Sequence, residues 1–243
     1  MEKFQPISNI SPNSPINKIK FYGRMLLDLQ ILSIYRNVKK VLPNFKGNVL
    51  DIGCGDGPYR HLINASNTKY YGIDIAAADE FKYDNKEITV FDGKKIPFEN
   101  EKFDAFLCTE VLEHCHDYKE LTTEMYRVCK KDAVGIITIP WSARYHYIPY
   151  DYFRYTPSTL KELFAPFSEV TIMPRGTDIT AICSKLIVLF FRNIFNQRNP
   201  IYILLAIIFS PILIPAVLLG HLSLLIKLGS NEDPIGYTVI VKK

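Results

Sequence analysis

The 243-residue chain is 48% hydrophobic and 22% charged, which is enough apolar material for one substantial core. Its formal net charge of +4 comes from scattered cations with no basic stripe interleaved with aromatics, so nucleic acid is not an expected partner. Cys54, Cys108, Cys115, Cys129 and Cys183 are odd in number and show no C-x-x-C spacing, so they are expected as reduced thiols of a cytoplasmic compartment.

Residues 1–20 are rich in Ser, Asn and Pro and hold no apolar stretch of the signal-peptide kind, so a flexible tail is expected there and one domain over 21–243. Residues 21–42 follow a helical pattern through Met25, Leu26, Leu29, Leu32, Ile34 and Val38, and Pro43 stops it. An apolar run, Val49-Leu50, then meets Asp51 and the glycines Gly53, Gly55 and Gly57. A strand that ends in glycines lets a ligand touch the backbone, because no Cβ stands in the way. The spacing is G-x-G-x-G, and Asp51 places a negative charge where a pyrophosphate would sit in a dinucleotide fold. That favours a ligand with an amine or a cation.

A second strand over 69–74 ends at Asp74, an acid placed to accept from ribose hydroxyls. A third, 88–91, ends at Asp92-Gly93, where an acid can meet an adenine amine. A fourth, 103–109, runs into Glu110 and Glu113-His114. Four successive strands thus bring polar groups to their C-terminal ends, the ligand-binding edge of open α/β sheets. His114-Cys115-His116 suggests no metal, since neighbouring side chains on a helix diverge and no partner cluster is evident.

At this point the chain resembles the class I S-adenosylmethionine-dependent methyltransferases, of the small-domain type that includes quinone C-methyltransferases. The likeness rests on VLDIGCGDG (49–57), YYGIDI (70–75), residues 91–114 and the strand VGIITIP (134–140). It implies a Rossmann-like, seven-stranded, mostly parallel sheet flanked by helices, with strand seven antiparallel. It also implies that Asp51, Gly53 and Gly55 line the methionine end of S-adenosylmethionine and that Asp74 holds the ribose. Ile75 would pack on the adenine with Asp92 and Gly93 at its edge, and Thr109 and Glu110 would close the site beneath the sulfonium.

Residues 140–156 leave the fifth strand beside that position and concentrate Trp141, His146, Asp151, Arg154 and five tyrosines. The segment resembles the H-x-x-P-x-D-[FY]-x-R-[FY]-T stretch of bacterial methyltransferases of surface-glycan and lipid-linked sugar pathways. His146 is the expected base, and Asp151 and Arg154 the other expected catalytic groups; an Asp151–Arg154 ion pair that pins the loop is the alternative. Thr156 is placed to cap a helix over 157–165.

Strands six and seven read as 167–173 and 235–241, with a hydrophobic helical insertion over 177–229 between them. Residues 199–226 hold no Lys, Arg, Asp or Glu. Both flanking strands join one sheet, so a single crossing of a bilayer is disfavoured, and Pro200, Pro211 and Pro215 are expected to break the segment. Helices lying in the inner face of the membrane are expected, with Lys185, Arg192, Arg198 and Lys227 at the headgroups; a substrate cap, a buried subdomain and a dimer interface are the alternatives. The expected activity is O-methylation of a lipid-linked, glycan or other membrane-presented acceptor, by a protein peripheral or monotopic at that face. A quinone-type C-methyltransferase, an NAD-binding oxidoreductase and a non-catalytic membrane-docking protein are the alternatives.

Overall fold

The computed structural model describes residues 10–75, 85, 87–195 and 199–243, so positions 1–9 of the expected tail and Arg198 lie outside the described residues. Seven strands form one sheet in the order β3-β2-β1-β4-β5-β7-β6. They are β1 Gly47–Ile52, β2 Thr68–Ile75, β3 Ile88–Phe91, β4 Phe103–Thr109, β5 Cys129–Pro140, β6 Glu169–Arg175 and β7 Gly236–Lys242. Neighbours from β3 through β5 run parallel, whereas β7 is antiparallel to both β5 and β6.

The central strands are apolar at nearly every position because helices cover both faces of the sheet. Alternate side chains feed two cores. Leu50, Ile52, Phe106, Cys108 and Ile137 face one, with Leu121 and Met125 of α3 (Tyr118–Val128) and Leu160 of α4 (Pro157–Leu163). Val49, Ala105, Leu107 and Ile136 face the other, with Ile34 and Val38 of α2 (Leu29–Val41).

The N-terminal region corrects two expectations. α1 (Pro15–Arg24) begins inside the segment read as tail, with the Ser14 hydroxyl accepting from Asn17 N–H at 3.2 Å. The helical pattern of 21–42 is split, because Asp28 caps the start of α2 by accepting from Ile31 N–H at 3.1 Å. A capping carboxylate satisfies a donor that would otherwise be orphaned, and it restarts the helix there.

The insertion is a helical hairpin: α5 (Asp178–Val188), a π-helical turn (Leu189–Phe195) and α6 (Pro200–Ile226). Pro211 and Pro215 do not break α6. Pro211 cannot donate to the carbonyl of Ile207, and the Ser210 hydroxyl donates to it instead at 2.9 Å. The C-terminal half of α6 is welded to the domain. Ser223 shares buried hydroxyl hydrogen bonds with Thr177 (2.8 Å) and Thr180 (2.5 Å), and Arg36 donates to the Leu224 carbonyl at 2.9 Å. A Cβ on Gly220 would collide with Leu29, so the close approach requires glycine. Much of the rest of the helix surface is bare. Ile201, Ile207 and Ile214 are about two-thirds exposed, at 66, 65 and 66%.

Candidate active site

The C-terminal ends of β1, β2, β4 and β5 open into a cavity of about 1830 Å³. Ligand pockets commonly measure about 300–1,000 Å³, so this one has room for a cofactor and an acceptor together. Of the residues singled out in the sequence, Gly53, Gly55, Asp74, Ile75, Asp92, Gly93, Thr109, Glu110 and His146 line it. Asp51, Gly57, Asp151 and Arg154 stand behind that lining.

After β1 the chain turns through Gly53 (φ +66°), Gly55 (+47°) and Gly57 (+61°), conformations that favour glycine. A side chain at Gly53 would also run into Val111. Asp51 lies beneath this turn, buried, and accepts from the Tyr70 hydroxyl at 2.6 Å. Burial pushes its carboxyl up to about 7; the Tyr70 hydrogen bond opposes that shift and the charge of Asp74 adds to it. Asp51 therefore shapes the charge under the turn and has no direct face on the cavity.

Asp74 closes β2 on the cavity side. One oxygen accepts from Gly55 N–H and the other from Ile75 N–H, both at 2.8 Å, so the carboxylate couples the glycine turn to the end of β2. Each oxygen keeps lone-pair capacity for a ligand hydroxyl. Burial raises its pKa, against the two N–H donors. Next to it the Ile75 side chain is exposed, an apolar plate with Gly93 (φ +79°) across from it. Asp92 is an exposed carboxylate held below the usual range by the N–H groups of Lys94 and Lys95, each at 2.8 Å. A carboxylate for ribose hydroxyls, an apolar plate for adenine and an acid at its edge are the donor set that S-adenosylmethionine requires, so these residues fit it.

Beyond Thr109 the chain makes a left-handed step at Glu110 (φ 55°). Two residues that the sequence reading missed hold its side chain. Arg175 donates to Oε1 and Gln30 to Oε2, both at 2.7 Å. Arg175 ends β6 and its side chain is fully buried, with further bonds to Ser33 Oγ and to the carbonyls of Ile139 and Tyr237. A lone arginine at a strand end reads as a surface charge; only the sheet order places it under Glu110.

The acceptor end of the cavity is built from residues 140–156. Asp151 sits behind His146, with 1% of its side chain exposed, and takes a bidentate grip from Arg154 (2.6 and 2.9 Å). Burial alone would raise Asp151, but Arg154 and the His146 N–H (2.9 Å) bring it below the ordinary carboxylate range. His146 Nδ1 lies 2.8 Å from the Arg144 carbonyl and 3.0 Å from Asp151 Oδ2. Asp151 and Arg154 thus position His146, and the loop-pinning ion pair and the support of His146 prove to be one device. The His114 ring meets His146 edge to face at 4.9 Å, and burial pushes its pKa down to about 4. Glu113, fully buried, has no hydrogen-bond partner for either oxygen, and burial drives its pKa well up. The Glu113 carbonyl accepts from the N–H groups of Tyr152 (2.8 Å) and Phe153 (3.3 Å), which is how a remote loop is folded back onto it.

The far wall comes from the insertion: Ser184, Lys185, Ile187, Val188, Leu189, Phe191 and Arg192 line the same cavity. A wall on the substrate side is what the substrate-cap alternative for the insertion expects.

Residues 50–137 match the family model described as a methyltransferase domain. An uncharacterised protein of Methanocaldococcus jannaschii is 30% identical over 122 residues, 49% of this chain and 53% of its own length. A ubiquinone biosynthesis O-methyltransferase of Pelagibacter ubique is 28% identical over 148 residues, 56% of this chain and 55% of its own. The chain spans about half the length of these curated relatives. The crystal structure of an S-adenosylmethionine-dependent methyltransferase from Archaeoglobus fulgidus shares the fold, with a TM-score of 0.54 at 18% identity over 94% of this chain and 98% of that one. Residues 50–137 thus match a methyltransferase domain, the fold is that of a class I S-adenosylmethionine-dependent methyltransferase, and S-adenosylmethionine is the cofactor that the site fits.

Proposed function

We propose that this chain transfers a methyl group to an oxygen of a lipid-linked or glycolipid acceptor at the inner face of a membrane. The observation that carries the reading is the single cavity that runs from the glycine turn and Asp74 to the apolar wall of Ile187, Val188, Leu189 and Phe191. A polar acceptor head fits between Glu110 and His146, and an apolar tail fits along α5 and the π turn.

Bound at the turn, S-adenosylmethionine would supply a methyl on a sulfonium for the acceptor oxygen, with the electron pair of the C–S bond left on sulfur and the acceptor's proton released into the open cavity. The chain's own contribution is mainly placement, since holding the two reactants in line removes much of the entropic barrier. Arg175 and Gln30 fix Glu110 beneath the reacting centre, and Asp151 and Arg154 fix His146 beside it.

α6 supports a membrane location. It has mean hydropathy 2.6 over its most apolar stretch, and only 17% of that stretch is buried. Twenty-seven residues span about 40 Å. Exposed apolar surface of that extent marks an interaction surface, and α6 packs on α5 and the π turn, which wall the cavity. Asp74, an acid on the cavity side of the turn, weighs against a pyrophosphate and so against the dinucleotide alternative.

A second reading, a quinone-type acceptor methylated at carbon or oxygen, is supported by the ubiquinone-biosynthesis name of the Pelagibacter relative together with the same apolar wall. Untargeted mass spectrometry of lipid and glycan extracts from cells with and without the gene tests both. We expect one lipid-soluble species to lose a methyl-sized increment in its absence, and the position of that methyl separates sugar from quinone. Extracts that do not differ would contradict the proposal.

A further inference from the structure

We propose that Glu113, His114 and His146 form a binding site for a first-row divalent cation of the zinc type, which holds the acceptor oxygen at the far end of the cavity. The second half of the proposal rests on the methyl-transfer reading; the site itself does not.

One potential ligand atom from each residue lies within 4.8 Å of the others. Two atoms that share a tetrahedral zinc stand about 3.3 Å apart, given zinc–nitrogen and zinc–oxygen distances near 2.0–2.1 Å. Glu113 Oε1 and His114 Nε2 are already 3.5 Å apart, so that pair is nearly in place, and His146 has to close from within 4.8 Å.

Both imidazoles are prepared as ligands. His114 Nδ1 is 2.5 Å from the Tyr150 carbonyl, and His146 Nδ1 is held between the Arg144 carbonyl and Asp151. With an acceptor on Nδ1, the proton belongs there and the lone pair is on Nε2. Second-shell carbonyls and carboxylates fix the tautomer of metal-binding histidines in this way.

Glu113 supplies the independent observation. Its carboxyl is fully buried, and neither oxygen has a hydrogen-bond partner. Buried polar groups are almost always satisfied, and a buried unpaired carboxylate is costly. A cation between it and the histidines removes that cost. Two imidazoles and one carboxylate form a set that suits zinc and leaves open positions for a substrate. The two histidines line the cavity, so the open side faces the acceptor.

An acceptor hydroxyl on such a cation loses its proton more easily, and the proton passes to water in the open cavity. Its oxygen then forms the new bond to the methyl carbon as the C–S bond breaks. In this arrangement His146 is a ligand, not the base.

The test uses the full chain, stripped with a chelator and titrated with Co²⁺, whose visible bands report nitrogen and oxygen ligation, followed by competition with Zn²⁺. We expect one equivalent to bind, with zinc displacing it. Glu113→Gln, His114→Ala and His146→Ala should each weaken binding at least tenfold, while His221→Ala should not change it. Thermal melts confirm that each variant is folded, and the isosteric Glu113→Gln keeps the test valid if a histidine variant is not. No cobalt bands, or bands indifferent to all three substitutions, would overturn the site. If methyl transfer also ignores chelator and falls only in His146→Ala, His146 is the base and the transferase reading stands without the cation. Cobalt binding in a protein that transfers no methyl would leave the site and refute the transferase reading.

Discussion

Replacing Asp74 tests the cofactor half of the site most sharply. Its two oxygens hold the N–H groups of Gly55 and Ile75 at 2.8 Å and present their remaining lone pairs to the cavity. Two ligand hydroxyls bonded to an ionised carboxylate contribute about 1.5–3 kcal/mol each. Asp74→Ala removes both, together with the acceptor that ties the glycine turn to β2. The expected loss in S-adenosylmethionine affinity is at least about 100-fold, or about 3 kcal/mol. Asp74→Asn keeps one acceptor oxygen and the side-chain shape, so about tenfold is expected there. Calorimetric titration with S-adenosylmethionine and with S-adenosylhomocysteine reads both values. Affinities within about threefold of wild type for the alanine variant would refute the reasoning, because no other described group at the end of β2 can replace a carboxylate.

Arg175→Met should destabilise the fold by about 3–5 kcal/mol in urea unfolding, because it leaves Glu110 as an uncompensated charge; adding Glu110→Gln should restore part of the loss. Asp51 has a folded pKa of about 7 against an ordinary value of 3.8, so its contribution to stability is fully present below about pH 4 and is lost as pH rises through about 7. Asp51→Asn should therefore flatten the decline in stability across that window, seen as a smaller slope of Tm against pH. The triple variant Ile201→Glu, Ile207→Glu, Ile214→Glu changes exposed positions only. It should abolish flotation on anionic liposomes while leaving Tm and cofactor affinity nearly unchanged, whereas wild-type flotation should persist in part at high salt.

The strands were the most legible part of the sequence. β3 and β4 begin and end at the residues where their apolar runs do, and most of the glycines and acids at the strand ends line the cavity. The break between α1 and α2 was hidden because Asp28 fits the polar face of a continuous helix as well as it fits a cap. The prolines of α6 suggested interruption, yet a proline inside a helix orphans only one carbonyl, and Ser210 serves that of Ile207. The acceptor side was the least legible. Arg175, Gln30 and Glu113 act through contacts that join distant parts of the chain, and no local pattern signals a contact that only sheet order and loop return create. Asp151 and Arg154 were found by motif, but their place behind His146 was visible only once the loop was folded.

The central claim is methyl transfer to a lipid-soluble acceptor, and its most direct test is incubation of the purified full chain with membrane extract and S-adenosylmethionine that carries a trideuterated methyl. Mass spectrometry of the organic phase should then show the deuterated methyl on one species, formed in step with S-adenosylhomocysteine and absent with Asp74→Ala. Label confined to the aqueous phase, or no S-adenosylhomocysteine above background from a protein that binds S-adenosylmethionine, would contradict the account.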